Sequence, residues 1–298
     1  MKTRRFAIVG CGKVGVTLAW HLAAMGLEPL GFASRRAASA HAAAEAAGGG
    51  RVCREAREAA KDADLVFITT PDGAIGTMAE RLAARKGFKS GAVVLHCSGV
   101  LPSTILAAVG DCRAHAGSLH PLQSFAAPVF PRNPFQGIVM AGEGEAAAMA
   151  VAREIAESLG AEFLPIRTEH KTLYHAGAVV ASNYLVTLMS VAARLLAGSG
   201  IASGAVLKVL LPLVRGTLDN IAKQGIAEAL TGPISRGDTE TVALHCRKIE
   251  EALPDLRPLY GLLGTHTLPL AEARGGLDAD TARALAALLS VHQEGSSE

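Results

Sequence analysis

Aromatic residues are scarce: Phe, Tyr and Trp make up 4% of the 298 residues, with a single tryptophan. That shortage argues against base-stacking platforms for nucleic acid. Charge of one sign is lacking too, since 29 Lys and Arg face 27 Asp and Glu for a formal charge of +2. Neither a nucleic-acid footprint nor a polybasic membrane patch fits so even a balance. Charged residues reach only 19% against 50% hydrophobic, which excludes a disordered chain and leaves material for a large core. Cysteine is limited to Cys11, Cys53, Cys97, Cys112 and Cys246, an odd set with no CxxC pair and no zinc-like spacing. We therefore expect no metal site and a reducing, cytoplasmic compartment.

The basic start Met1-Lys2-Thr3-Arg4-Arg5 and the short apolar run after it look superficially like a signal peptide, but Gly10, Gly12 and Gly15 interrupt the run. The one stretch that raises a membrane question is Tyr174 to Gly198. It carries His175, Ser182, Asn183, Thr187 and Arg194, so a buried helix of a soluble protein is the better reading.

Residues 5 to 165 alternate short β-branched runs with Ala-rich helical stretches, the pattern of a parallel sheet covered on both faces. The runs are Phe6 to Val9, Pro29 to Ala33, Leu65 to Thr69, Ala92 to His96, Gly117 to His120, Gly137 to Ala141 and Glu162 to Pro165, with helices such as Lys13 to Met25 and Ala37 to Ala47 between. From Glu169 to Val291 helical periodicity is broken only by Gly and Pro. The expected fold class is α/β: a Rossmann-type, doubly wound, mostly parallel sheet over residues 1–167, then an all-α domain over 168–292. Residues 293–298 read as a flexible polar tail.

Strand Phe6 to Val9 runs straight into Gly10-Cys11-Gly12-Lys13-Val14-Gly15 and a helix. Glycines there permit a tight turn and close approach of backbone to pyrophosphate, while the helix N-terminus offers free N–H groups. At the end of the second strand, where an NAD site usually places an acid, stand Ser34, Arg35 and Arg36. A hydroxyl with two guanidiniums suits a 2′-phosphate, so the expected cofactor is NADP(H). The bland alternative is a solvated helix start. Thr69, Thr70, Pro71 and Asp72 end the next strong strand and should follow the cofactor's ribose and nicotinamide side, unless they form an ordinary Pro-Asp turn.

Two polar loops leave adjacent strand ends: His96-Cys97-Ser98-Gly99, and Ser118 through Phe125. Ser98 and His120 are candidates for hydrogen bonding or proton transfer beside the nicotinamide, with Cys97 and Ser98 against the cofactor. His96, nearer the strand interior, reads as structural. Lys171, His175 and Ser182 share a helical stripe, and Asn183 lies on a neighbouring face. A lysine and a histidine one turn apart lower each other's proton affinity, as an acid/base pair requires. A wet lysine and a packed histidine would explain them without chemistry, and Asn183 could meet a dimer partner as easily as a substrate. Arg236, in Leu230 to Asp238, offers a fork for a substrate carboxylate, although a turn capped by Thr231 and Asp238 accounts for the segment without a ligand.

On GCGKVG at Gly10 to Gly15, LHCSG at Leu95 to Gly99, SLHPLQSF at Ser118 to Phe125, HKTLYHAGAVVASNYL at His170 to Leu185 and LTGPISRGD at Leu230 to Asp238, the chain resembles a bacterial group of Rossmann-like oxidoreductases with a C-terminal helical domain of unknown function. The wider superfamily includes ketopantoate reductases, hydroxyacid dehydrogenases, pyrroline-carboxylate reductases and prephenate dehydrogenases, with a helical domain related to that of 6-phosphogluconate dehydrogenase. The resemblance implies hydride transfer to or from NADP(H), a small-molecule substrate and dimerisation through the helices, while the even charge balance leaves no nucleic acid or membrane as partner. It departs from the hydroxyacid and ketopantoate enzymes in one respect: they place Asn four residues after the helix lysine, where this chain has His175.

The function expected from sequence is reduction of a small carbonyl carboxylate of the ketopantoate kind. In that reading Lys171 or His175 supplies the proton, and Ser98, His120 and Asn183 orient the substrate. The alternatives are a cyclic-imine reductase of the pyrroline-carboxylate type and a non-catalytic NADP-binding sensor or scaffold.

Overall fold

The computed structural model describes residues 4–290. The polar tail expected at 293–298 lies outside the described residues. The chain divides into one compact unit ending at Ser182 and a second beginning at Asn183.

The first unit is an α/β sandwich. Its strands are β1 (Arg5–Val9), β2 (Glu28–Ala33), β3 (Arg51–Cys53), β4 (Leu65–Ile68), β5 (Val93–His96), β6 (His115–Pro121), β7 (Val139–Gly144) and β8 (Glu162–Pro165). They form one sheet in the order β3-β2-β1-β4-β5-β6-β7-β8, parallel throughout except where β6 meets β7. Helices α1 (Lys13–Ala24), α2 (Ala37–Ala46), α3 (Ala56–Ala60), α4 (Asp72–Ala84) and α5 (Ala146–Ser158) cross between the strands, with a 3-10 segment at Ser103–Cys112.

Side chains alternate across a strand, so each strand feeds two cores. Phe6, Ile8, Phe67 and Leu95 pack on one face with Leu18, Leu22 and Ile155 of the flanking helices. Ala7, Val9, Val66, Ile68 and Val94 pack on the other with Ile75, Ala79 and Leu106. Both faces being covered explains why the central strands are continuously apolar. The edge strand β3 was not expected, because only Cys53 of its three residues is buried.

Register places the polar groups that interrupt this pattern. His96 pairs with Ser118, and Ser118 with Glu143. With His120 two residues beyond Ser118, these side chains share one face toward the carboxyl ends of β5 and β6.

Helix α6 (Lys171–Gly198) begins in the first unit and continues into the second. The second unit adds α7 (Val206–Gln224), α8 (Thr239–Ala252), α9 (Arg257–Ala273) and α10 (Ala279–Leu289). Its core is formed by Val242, Cys246, Leu268, Leu285 and Leu289. Asp238 caps α8 by accepting from the Thr241 N–H at 3.0 Å. The expectation that Tyr174 to Gly198 is buried is corrected: Lys171 is the one buried residue of α6, and Leu173, Val186 and Tyr184 stand open. Apolar composition fixes that a helix face needs covering, and the described residues do not cover it. By length and hydropathy the segment Thr168–Gly198 is the one among the described residues that could cross a membrane.

Candidate functional site

The turn after β1 is built for close approach. Gly10 has φ +100°, and a Cβ there would lie 2.5 Å from the Thr70 nitrogen; a Cβ at Gly15 would lie 2.5 Å from the Gly10 carbonyl. The Thr69 hydroxyl donates to that carbonyl and ties β4 to the turn. Gly12, the residue before α1, has open space where its side chain would be. Beside it opens a cavity of about 950 Å³. Gly10, Cys11, Gly12, Lys13, Val14, Ser34, Arg35, Arg36, Thr69, Thr70 and Pro71 line it.

Three observations say what this cavity suits. Backbone N–H groups at the start of α1 offer an anion site. The Arg35 and Arg36 side chains are exposed on its wall. The Thr70 hydroxyl is buried there with no hydrogen-bond partner among the described residues, which marks it for an incoming polar group. A dinucleotide with a further phosphate fits these residues. The sequence reading missed Ser39, Arg54, Arg81 and Phe125, which also line the cavity. Phe125 comes from the long connection after β6, pinned to α1 where the Val129 N–H donates to Thr17 Oγ1 at 3.1 Å and the Phe130 and Trp20 rings stack. Asp72 opens α4 outside the cavity lining, and Cys97 and Ser98, after β5, lie outside it too.

A second cluster lies at the ends of β5 and β6. Lys171, 1% exposed, donates from Nζ to Ser118 Oγ and, at 3.0 Å, to Glu143 Oε1. Glu143 also accepts from the Ser103 N–H at 2.8 Å, the Ser103 hydroxyl at 2.7 Å and Thr168 Oγ1 at 3.0 Å. Burial pushes the Lys171 ammonium toward losing its proton, and the Glu143 carboxylate opposes this. Burial likewise raises Glu143, but the Ser103, Lys171 and Thr168 donors outweigh it and hold the carboxyl below its usual range. The pair is a sealed ionic tether between the first turn of α6 and the sheet.

One turn along α6, Tyr174 and His175 face His120. The Tyr174 hydroxyl is 3.1 Å from His120 Nδ1, with the two rings edge to face at 87°. The His120 and His175 ring centres are 6.1 Å apart. Gly99 makes this convergence possible, since a Cβ there would lie 2.4 Å from His175 Cδ2 and 2.9 Å from His120 Nε2. Burial first, then the neighbouring His175 and Lys171, pushes His120 down to about 4. Burial and Lys171 do the same to His96, also to about 4. Tyr174 and the Cys97 thiol are each pushed up to about 12 by burial.

Of the residues singled out from sequence, the structure brings Ser98, His120, Lys171 and His175 into one neighbourhood. Ser98 Oγ accepts the Val100 and Leu101 N–H groups at 3.3 and 3.0 Å, so it shapes the loop behind Gly99. Asn183 and Arg236 belong to the second unit, where both are exposed. Tyr174 and Glu143 escaped the sequence reading. Tyr174 stood three residues from Lys171, a helical neighbour that spacing alone could have flagged. Glu143 had no comparable signal.

Residues 2–121 match the family model of a Rossmann-like domain, and residues 138–267 match that of DUF2520, a domain of unknown function. The second match takes in β7, α5 and β8 of the sheet as well as the helices that follow them. Among solved structures it is similar to a Bacteroides fragilis protein described as an NADP oxidoreductase, with 23% identity and a TM-score of 0.72 over 89% of this chain and 98% of that one. A Thermotoga maritima protein is 27% identical, with a TM-score of 0.66 over 95% and 98%. A reductive aminase from Aspergillus terreus in complex with NADPH is 19% identical, with a TM-score of 0.60 over 97% and 93%. These likenesses establish the fold. No curated protein matches the chain.

Proposed function

We propose that this chain is an NADP(H)-dependent oxidoreductase that reduces a small carbonyl or imine compound. The observation that carries the reading is the cavity joining the glycine turn to Arg35 and Arg36, with the unpartnered Thr70 hydroxyl in its wall. The relatives described as an NADP oxidoreductase and as an NADPH-bound reductive aminase support it.

In this reading Gly12 and the first turn of α1 hold the pyrophosphate, and Ser34, Arg35 and Arg36 hold the 2′-phosphate. Thr69 to Pro71 follow the ribose. Bound there, a reduced nicotinamide supplies a hydride equivalent. Lys171, sealed against Glu143, fixes the start of α6, and His120 with His175 manages the proton. Ser98 holds the loop that carries Gly99 between them. A keto carboxylate of the ketopantoate kind and a cyclic imine differ in the charge beside the reacting carbon, and Arg236 is the residue we assign to a remote carboxylate.

The apolar side chains open on α6 and α7 support a homodimer: Val186 is 70% and Leu213 68% exposed, more apolar surface than a monomer ordinarily leaves uncovered. The five free thiols suit a reducing, cytoplasmic compartment. Titration of the nicotinamide fluorescence of NADPH and NADH tests the cofactor reading. NADPH should bind at least about tenfold more tightly, the worth of one charge-assisted phosphate contact. Equal affinity, or none for either, overturns it. Binding without turnover of any keto acid or cyclic imine would leave the sensor or scaffold instead.

A further inference from the structure

The cavity and the cluster beyond it differ in what they can do with charge, and that difference bears on the substrate. Every guanidinium that lines the cavity lies on the cofactor side, at Arg35, Arg36, Arg54, Arg57, Arg81 and Arg85. Around Gly99 the one ammonium, Lys171, is 1% exposed and committed to Ser118 and Glu143. Glu143 is itself saturated by Ser103 and Thr168. Among the described residues of the first unit, the groups that converge on Gly99 therefore include no lysine or arginine free to meet a carboxylate.

They do offer an oriented neutral donor. The Tyr174 hydroxyl, which keeps its proton at neutral pH because burial raises it to about 12, lies 3.1 Å from His120 Nδ1. A neutral imidazole accepting at Nδ1 carries its proton on Nε2. That is the ring edge lying against Gly99.

We propose that the reacting end of the substrate is an uncharged ketone or aldehyde whose oxygen is taken by the Nε2–H of His120, with Tyr174 fixing that tautomer. The proposal rests on the NADP(H) reading above. With the hydride supplied by a reduced nicotinamide, a carbon–hydrogen bond forms and the carbonyl π pair moves to oxygen. The oxygen takes the Nε2 proton as the Tyr174 proton passes to Nδ1; that proton then returns to Tyr174 while solvent reprotonates Nε2. One hydride and one proton are consumed for each alcohol formed, and the nicotinamide is oxidised. Tyr174 is a positioning residue, and His120 touches substrate. An α-keto acid would bring its carboxylate to a place with no lysine or arginine free to meet it.

The test uses the full chain with NADPH bound and two unreactive mimics, isobutyramide and isobutyrate, titrated by nicotinamide fluorescence. The amide should bind at least about tenfold more tightly, since an unpaired buried carboxylate costs more than that ratio. Carboxylate binding as tight as the amide overturns the proposal, and so does failure of both mimics to bind. Failure of NADPH itself to bind overturns instead the reading on which it rests, so the two failures are distinguishable. Nitrogen NMR of labelled histidines should find His120 protonated at Nε2 alone in the wild type and in mixed tautomers in Tyr174→Phe, with NADPH affinity unchanged. An unchanged His120 spectrum in that variant overturns the role of Tyr174.

Discussion

Two polar regions of the same sheet edge are built on opposite principles. The cavity beside the glycine turn is open and holds its charges in water, where Arg35, Arg36 and Arg54 wait for an anion. The cluster around Gly99 is closed: Lys171 is neutralised by Glu143, and the uncharged Tyr174 and His120 pair by hydrogen bonding. Burial is the variable that separates them. An exposed guanidinium keeps its charge at little cost, whereas a buried ammonium needs a partner to persist. Binding and chemistry should thus be separable by mutation, and each prediction below acts on one region while sparing the other.

The largest effect should come from Glu143→Gln, which leaves Lys171 buried without its carboxylate. Breaking one side of a buried pair costs about 3–5 kcal/mol, so urea unfolding should shift by that amount. A loss below about 1 kcal/mol, the range of exposed pairs, would show that the tether is wet. Nearly as large is a pH effect at His96, which is fully buried and pushed down to about 4. A group whose folded value lies below its unfolded value contributes stability that is complete above the unfolded value, near 6.5, and is lost as pH falls through the folded one. Wild-type stability should therefore fall between these limits by about 3 kcal/mol from His96 alone. His120 adds to the loss in the same direction. The slope should be shallower in His96→Gln, and an identical slope in that variant would assign the loss elsewhere.

Gly99→Val should divide the two regions most cleanly. Its Cβ would displace the His175 and His120 rings, and misplacing a reacting group by about 1 Å costs on the order of a hundredfold in turnover. NADPH affinity should stay within about twofold, because neither Gly99 nor the two histidines it would displace line the cavity that takes the dinucleotide. Parallel losses of turnover and affinity would merge the two regions into one site.

The same contrast explains what sequence could and could not reveal. The cavity was legible because its function rides on local order: a strand, a glycine turn and a helix in sequence, then Ser34-Arg35-Arg36 at the next strand end. Seven of the strands announced themselves as apolar runs, whereas β3 exposes two of its three residues and carries no pattern. The cluster depends on register instead. Lys171 and His175 could be paired by helical spacing, but Glu143 reaches Lys171 across 28 residues through a strand that runs against its neighbour. Nothing local distinguishes Glu143 from the exposed Glu145 two positions on. The lysine that looked like an acid in sequence proves to be sealed, a property of packing that side-chain identity does not carry.

The smallest effect sharpens the open side of the comparison. Arg36 lies next to Arg35 and Ser34 at the end of β2, where a 2′-phosphate would distinguish the two nicotinamide cofactors. Removing one guanidinium from a solvent-exposed phosphate site costs about 1–2 kcal/mol, so Arg36→Ala should weaken NADPH about tenfold and leave NADH unchanged. Arg54 reaches the same cavity from beyond β3, and Arg54→Ala should act in the same direction with a smaller loss. Raised salt should shrink both effects, because these charges are exposed and screened. If Arg36→Ala weakened both cofactors equally, the guanidinium would be steering anions in general, and the cavity would lose its selectivity for the phosphorylated form.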